Sequence, residues 1–293
     1  MRHQIEEFTI HLKTVKKMPE NSYLAYKRDL MKLADFMEKR GITEVSDVTI
    51  DGLKAYTEGL FDDNFATSSI IRQCTSIRTF FRYLVENGNI SENPAEDLKS
   101  PKPKKKKIRI LSEYEINNLL SQDFTDDALG KRDKAILELM YATGLRASEL
   151  IGLKLSNIDL SIGCLRMEDS RLIPYGNRAK EALNAYLLGA RKDMLSESSD
   201  PESENVFFNY SGEPMSRQGL WKLIKRYCIR AGIDSSITLN DLRHSFGAHL
   251  LENGADLATV QTMMGYTGPN TLTRYLGKTQ KYKDPYDFAR LRN

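Results

Sequence analysis

Residues 100–107 read Ser-Pro-Lys-Pro-Lys-Lys-Lys-Lys, and this run constrains the fold more than any other stretch of the 293-residue chain. Pro101 and Pro103 remove backbone donors and fix φ, while adjacent lysines repel one another, so neither a helix nor a packed strand continues through it. Two bodies are therefore expected: residues 1–98, a basic linker over 99–109, and residues 110–293. Each is long enough to bury its own core. By themselves Lys104, Lys105, Lys106 and Lys107 read as a solvated hinge; between two nucleic-acid-binding bodies each would instead neutralise a phosphate and release a counterion.

In the first body Tyr23, Tyr26, Leu30, Leu33 and Met37 recur at steps of three and four, which predicts an amphipathic helix over 22–40 with Asn21 as its N-cap. Ile70, Cys74, Ile77, Phe81 and Leu84 predict a second over 67–86, stopped by Asn87-Gly88. Weaker helical patterns at 3–16 and 49–60 complete a small bundle. Arg72, Arg78 and Arg82 on the 67–86 helix are candidate DNA contacts.

The second body opens on Ser112-Glu113-Tyr114-Glu115, the pattern of a capping box. A helix follows over 131–142, closed by Gly144. Residues 163–167 and 171–174 read as two short strands joined by Glu168-Asp169-Ser170, the one clear β signal. Further helices are expected over 177–195, after Ser216 and from 239 to 275, with breaks at Asn253-Gly254 and Gly268-Pro269. The stretch 196–205 reads as an acidic surface loop. The fold class is thus mainly α with a small β-sheet.

A formal charge of +3 is too mild to identify a nucleic-acid partner unless the basic residues gather on one face. Cys74, Cys164 and Cys228 are few, odd in number and far apart, which argues against a disulfide framework. No C-x-x-C or His/Cys cluster suggests a metal, and no cofactor is expected. The N-terminus lacks an apolar signal core, and no run of ~18 apolar residues exists to span a membrane, so a cytoplasmic protein without a membrane partner is expected.

Residues 143–150 read Thr-Gly-Leu-Arg-Ala-Ser-Glu-Leu and residues 239–246 read Leu-Asn-Asp-Leu-Arg-His-Ser-Phe; Met264-Gly265-Tyr266 and Arg274-Tyr275 follow. A guanidinium donates a planar pair of hydrogen bonds to phosphate oxygens and stays charged at any working pH, which makes Arg146 and Arg243 candidate phosphate ligands. Together these segments resemble the tyrosine recombinases of the phage-integrase and Xer type. The likeness runs from Asn21 to Tyr275 and is strongest over 141–153 and 216–275.

That resemblance implies an N-terminal SAM-like, core-binding helical domain and a C-terminal catalytic domain of the DNA breaking-rejoining fold. It implies that Tyr275, nine residues after Tyr266, is the nucleophile of a 3′-phosphotyrosyl intermediate formed without metal or nucleotide. Glu149 matches the acidic residue that buttresses the first arginine. Helices of the first body and the helix after Ser216, with Arg217 and Lys222, would lie on double-stranded DNA. Residues 276–293 match the tail that docks on a neighbouring protomer, in a homo- or hetero-oligomer, with Tyr282, Tyr286, Phe288 and Leu291 as an apolar face; a tail folded back on its own domain is the alternative.

The departures from the family concern proton transfer. Asn240 stands at the first histidine of the second arginine box, and Tyr266 at the later histidine or tryptophan. Glu168-Asp169-Ser170 replaces the hairpin turn that carries the general-acid lysine. Such groups typically contribute about 10²–10⁴-fold each. The expected function is therefore DNA binding by a site-specific recombinase of impaired catalysis. An inactive relative with an accessory, architectural or regulatory role is the alternative, and a helical scaffold that does not bind DNA is a third reading.

Overall fold

The computed structural model describes residues 1–103, 108–196 and 199–266, and the chain divides into two compact units, Met1–Lys106 and Lys107–Asn293.

In the first unit the strongest apolar stripe builds the centre. Helix α4 (Thr67–Glu86) buries Ile70, Cys74, Ile77, Phe81 and Leu84 completely, as the spacing predicts. Around it stand α1 (Arg2–Thr14), α2 (Glu20–Glu38) and α3 (Ile50–Asp62). Phe80 meets Phe8 at 5.5 Å and Phe81 at 5.3 Å between ring centroids, locking α1 to α4. Helix α2 begins earlier than expected, because Pro19 and not Asn21 is its N-cap. The fixed φ of proline suits a helix entry, and its carbonyl accepts from the Ser22 and Tyr23 amides. Asn21 is thereby drawn into the first turn.

In the second unit Ser112 caps α5 (Glu113–Leu120) through a capping box with Glu115. Helix α6 (Ala128–Thr143) starts earlier than the expected 131, since the Asp127 carboxylate accepts from the Gly130 amide at 2.7 Å. It ends on Gly144 in the left-handed region at φ 59°. A Cβ there would lie 2.3 Å from Phe246 Cδ1, so the close approach, as well as the backbone, demands glycine. Helix α7 (Ala147–Ile151) follows at once.

The sheet has three antiparallel strands, β1 (Ile158–Asp159), β2 (Cys164–Arg166) and β3 (Leu172–Pro174). β1 was not expected from sequence: two residues display no alternation. β2 and β3 pair Leu165 with Ile173, both fully buried, and close through Ser170 at φ 65°. The predicted helix over 177–195 is α8 (Asn177–Ala185), a π-helical turn at Tyr186–Ala190 and α9 (Arg191–Leu195). The buried Tyr186 hydroxyl donates to the Val206 carbonyl at 2.9 Å.

Ser216 caps α10 (Arg217–Arg230), Thr238 caps α11 (Leu239–Glu252), and α12 (Leu257–Met264) ends on Gly265 at φ 57°. Among the described residues no helix is long and apolar enough to cross a membrane. The Gly268-Pro269 break and the helix expected up to 275 lie beyond them.

Candidate functional site: three arginines around one carboxylate

Glu149 lies in the first turn of α7, and its Oε2 accepts from the Arg146 amide at 2.6 Å, holding the helix start. The i,i+3 spacing then brings Arg146 Nη1 to Glu149 Oε1 at 2.7 Å. Arg243, on the second turn of α11, is 4% exposed and stands 3.8 Å from Glu149 Oε2. A third guanidinium completes the group: Arg171 Nη2 donates to Glu149 Oε1 at 2.5 Å. Burial raises the Glu149 carboxyl, but hydrogen bonds from the Arg146 amide, Arg171 and the Arg146 side chain outweigh it and hold the group below its ordinary value.

All three guanidinium groups also close on the end of α12. Arg171 Nη1 donates to the Met263 carbonyl at 3.0 Å, Arg243 Nη2 to the Met264 carbonyl and Arg146 Nη2 to the Gly265 carbonyl at 2.6 Å. These are helix-terminal acceptors at the negative end of the helix dipole, which favours cations. Arg243 Nη1 donates back to the Gly144 carbonyl at 2.5 Å, tying α11 to the α6–α7 corner. Asp169 in the hairpin turn pairs with Arg171 Nε at 2.7 Å. Three cations thus face two carboxylates, Glu149 and Asp169, and the group keeps one net positive charge.

Tyr266 packs on the second arginine, its ring centroid 4.9 Å from Arg243 Cζ. Asn240 lies one turn before Arg243 on α11 and is exposed. His249 is buried, with Nδ1 2.8 Å from the Tyr141 hydroxyl. A cleft of about 270 Å³ opens beside the group, lined by Ser148, Glu149, Asn157, Glu168, Asp169 and Arg171 among others. The larger cleft of about 670 Å³ near Asp123, Lys131 and Arg178 touches none of the three arginines. Tyr275 and the 276–293 tail lie outside the described residues.

Arg171 is the site residue that sequence reasoning missed. The alternation of β3 held a signal for it: Arg171, Ile173 and Tyr175 are buried while Leu172 is 56% exposed. An arginine on the inward face of a strand needs acceptors, and here it has three.

The candidate DNA contacts are spread over both units. Arg72 pairs with the buried Asp29 at 2.8 Å, and Arg78 bonds the Cys74 carbonyl at 3.2 Å and the Ser100 hydroxyl. Arg82, Arg217 and Lys222 are exposed. Arg226, next along α10, is held by buried Asp133 at 2.5 Å. Lys104, Lys105, Lys106 and Lys107 lie outside the described residues.

Residues 109–281 match the phage integrase family, and residues 5–88 match the phage integrase N-terminal SAM-like domain. The chain is 34% identical to tyrosine recombinase XerD of Staphylococcus haemolyticus over 94% of its length and 95% of the relative's. It is also 34% identical to tyrosine recombinase XerD of Listeria monocytogenes serotype 4b, over 98% of each chain. Among solved structures it is similar to XerH site-specific recombinase bound to a palindromic difH substrate, with TM-score 0.72, 17% identity and coverage of 99% of this chain and 84% of that one. A lambda integrase dimer bound to a core site aligns with TM-score 0.69 at 17% identity, over 97% of this chain and 98% of that one. The Tn1549 transposon integrase in complex with circular intermediate DNA gives TM-score 0.69 at 16% identity, covering 98% of each. By these matches, the chain belongs to the phage integrase family, the tyrosine recombinases.

Proposed function

We propose that this chain is a DNA-binding site-specific recombinase whose arginine group grips a phosphodiester and whose strand transfer through Tyr275 is impaired. The observation that carries the reading is the Glu149 carboxylate with Arg146 and Arg243 on its two oxygens, leaving net positive charge on the group. Two such forks stabilise the charge that grows on the non-bridging oxygens as phosphorus is attacked. In the full reaction the Tyr275 hydroxyl gives up its proton as its oxygen bonds phosphorus, the bond to the 5′ oxygen breaks, and that oxygen takes up a proton, so no net proton is gained or lost.

The proton is where this sequence falls short. Asn240 donates a hydrogen bond but exchanges no proton near neutral pH. The hairpin turn Glu168-Asp169-Ser170 contains no lysine, and its Asp169 is spent on Arg171. A guanidinium, with a pKa above ~12, is a poor donor to the leaving oxygen. Double-stranded DNA is the partner this reading requires, and the XerH, lambda and Tn1549 relatives were solved on DNA. A second reading, a relative that binds DNA as an accessory factor without cutting it, draws on the same Asp169–Arg171 pair. Assembly of several protomers on DNA through the 276–293 tail belongs to both.

The binding half is tested with a labelled mixed-sequence duplex titrated across potassium chloride concentrations. The logarithm of the affinity should fall linearly with the logarithm of salt, and Arg146→Ala should reduce that slope by about one. Salt-insensitive binding, or no binding at low salt, contradicts the reading.

A further inference from the structure

Resting on the phosphate-binding reading of Arg146 and Arg243, we propose that Arg171 is a positioning residue of the site, a buried strut that holds the Glu149 carboxylate in line with those two arginines and clamps the hairpin to the end of α12. Its three donor nitrogens each have one acceptor element. Nε takes Asp169 of the turn at 2.7 Å, Nη2 takes Glu149 of α7 at 2.5 Å, and Nη1 takes the Met263 carbonyl of α12 at 3.0 Å. The side chain is 9% exposed, so it serves the site from behind and does not present its charge to solvent.

The surroundings are shaped for a guanidinium. Gly265 lies so close that a Cβ there would meet Arg171 Cζ at 2.8 Å and Nε at 2.9 Å. A Cβ at the α12 terminus would force the guanidinium to shift, and the same glycine supplies the carbonyl that Arg146 bonds. Removing Arg171 therefore strips Glu149 of its shortest side-chain partner and leaves Oε1 held by Arg146 alone. A lysine gathers its three donors on one nitrogen and does not reproduce the planar spread by which Nε, Nη1 and Nη2 each meet a different element. The charged groups facing Glu149 are Arg146, Arg171 and Arg243, with Asp169 behind Arg171.

The test uses the full chain carrying Arg171→Met or Arg171→Lys, with Arg146→Ala as the probe of the phosphate reading. Two quantities are read. The first is the Glu149 carboxyl titration followed by 13C NMR, assigned with Glu149→Gln. The second is affinity for a labelled mixed-sequence duplex as a function of potassium chloride. In Arg171→Met the Glu149 titration should move up, since burial then acts with one fewer opposing hydrogen bond. Duplex affinity should fall about tenfold, the scale of one charged hydrogen bond, with the salt slope unchanged because no phosphate contact is lost. Arg171→Lys should fall between the two proteins and serves as the deciding variant if Arg171→Met does not fold. A folded variant with wild-type Glu149 titration and wild-type affinity overturns the proposal; so does a salt slope reduced by about one, which makes Arg171 a direct phosphate ligand. If Arg146→Ala leaves duplex affinity untouched, the phosphate reading falls, while the hold of Arg171 on Glu149 is still decided by the titration.

Discussion

Replacing Glu149 by glutamine removes the charge at the centre of the arginine group while keeping the side chain's shape and its ability to cap α7. The Glu149 side chain is 15% exposed, and its partners Arg171 and Arg243 are 9% and 4% exposed. Stripping one partner from a buried ion pair costs about 3–5 kcal/mol, because the remaining charge stays desolvated. Arg146, 41% exposed, adds at most about 1 kcal/mol. At about 2–4 °C per kcal/mol for a domain of this size, the melting temperature should fall by on the order of 10 °C at pH 7. The carboxyl sits below its ordinary value of 4.5 in the folded chain, so its stabilisation is present above that value and is lost as pH falls through the lower one. The difference between the two proteins should therefore be full at pH 7 and shrink below about pH 4. Calorimetry across pH reads both quantities. A glutamine variant melting within about 2 °C of the parent at pH 7 would show that the arginines do not depend on Glu149.

Two further outcomes follow from other parts of the fold. Asp29 is buried in the first unit, and burial pushes its carboxyl up from 3.8 to about 6 despite Arg72, Lys32 and Arg28 nearby. A raised value means its contribution is intact below 3.8 and lost as pH rises through about 6, so the stability in urea of the parent relative to Asp29→Asn should decline over that window by up to about 3 kcal/mol. Gly144→Ala places a Cβ in the left-handed region and against Phe246, and should lower the urea midpoint by the equivalent of about 2–5 kcal/mol; a neutral substitution would show that the α6–α7 corner relaxes freely.

The parts of this molecule that were legible in sequence are those specified by neighbours within one turn. The α4 stripe from Ile70 to Leu84, the Ser112 capping box and the Arg146–Glu149 spacing are all local, and each stands in the fold as expected. Pro19 was missed as the α2 cap because Asn21, a ready cap, stands two residues on, and Asp127 was missed because no start ahead of 131 was read for α6. Arg171 was missed for a different reason. Asp169 is two residues away, but the two partners that tie it to the site, Glu149 and Met263, lie 22 and 92 residues away, beyond any local window. The family motifs pointed to Arg146, Glu149 and Arg243, and the fold brings these three together with Arg171.

The central claim separates phosphate binding from strand cleavage, and covalent trapping measures that separation directly. A nicked suicide duplex, on which cleavage cannot be reversed, should be shifted by this protein in a native gel yet yield little or no denaturant-stable adduct. On the proposed reading, a hairpin turn without lysine and an asparagine at 240 should slow adduct formation by at least about 10⁴-fold relative to a recombinase that has a lysine and a histidine there. Rapid, near-complete adduct formation that Tyr275→Phe abolishes would contradict the account, and would mean that some other group of this chain delivers the proton.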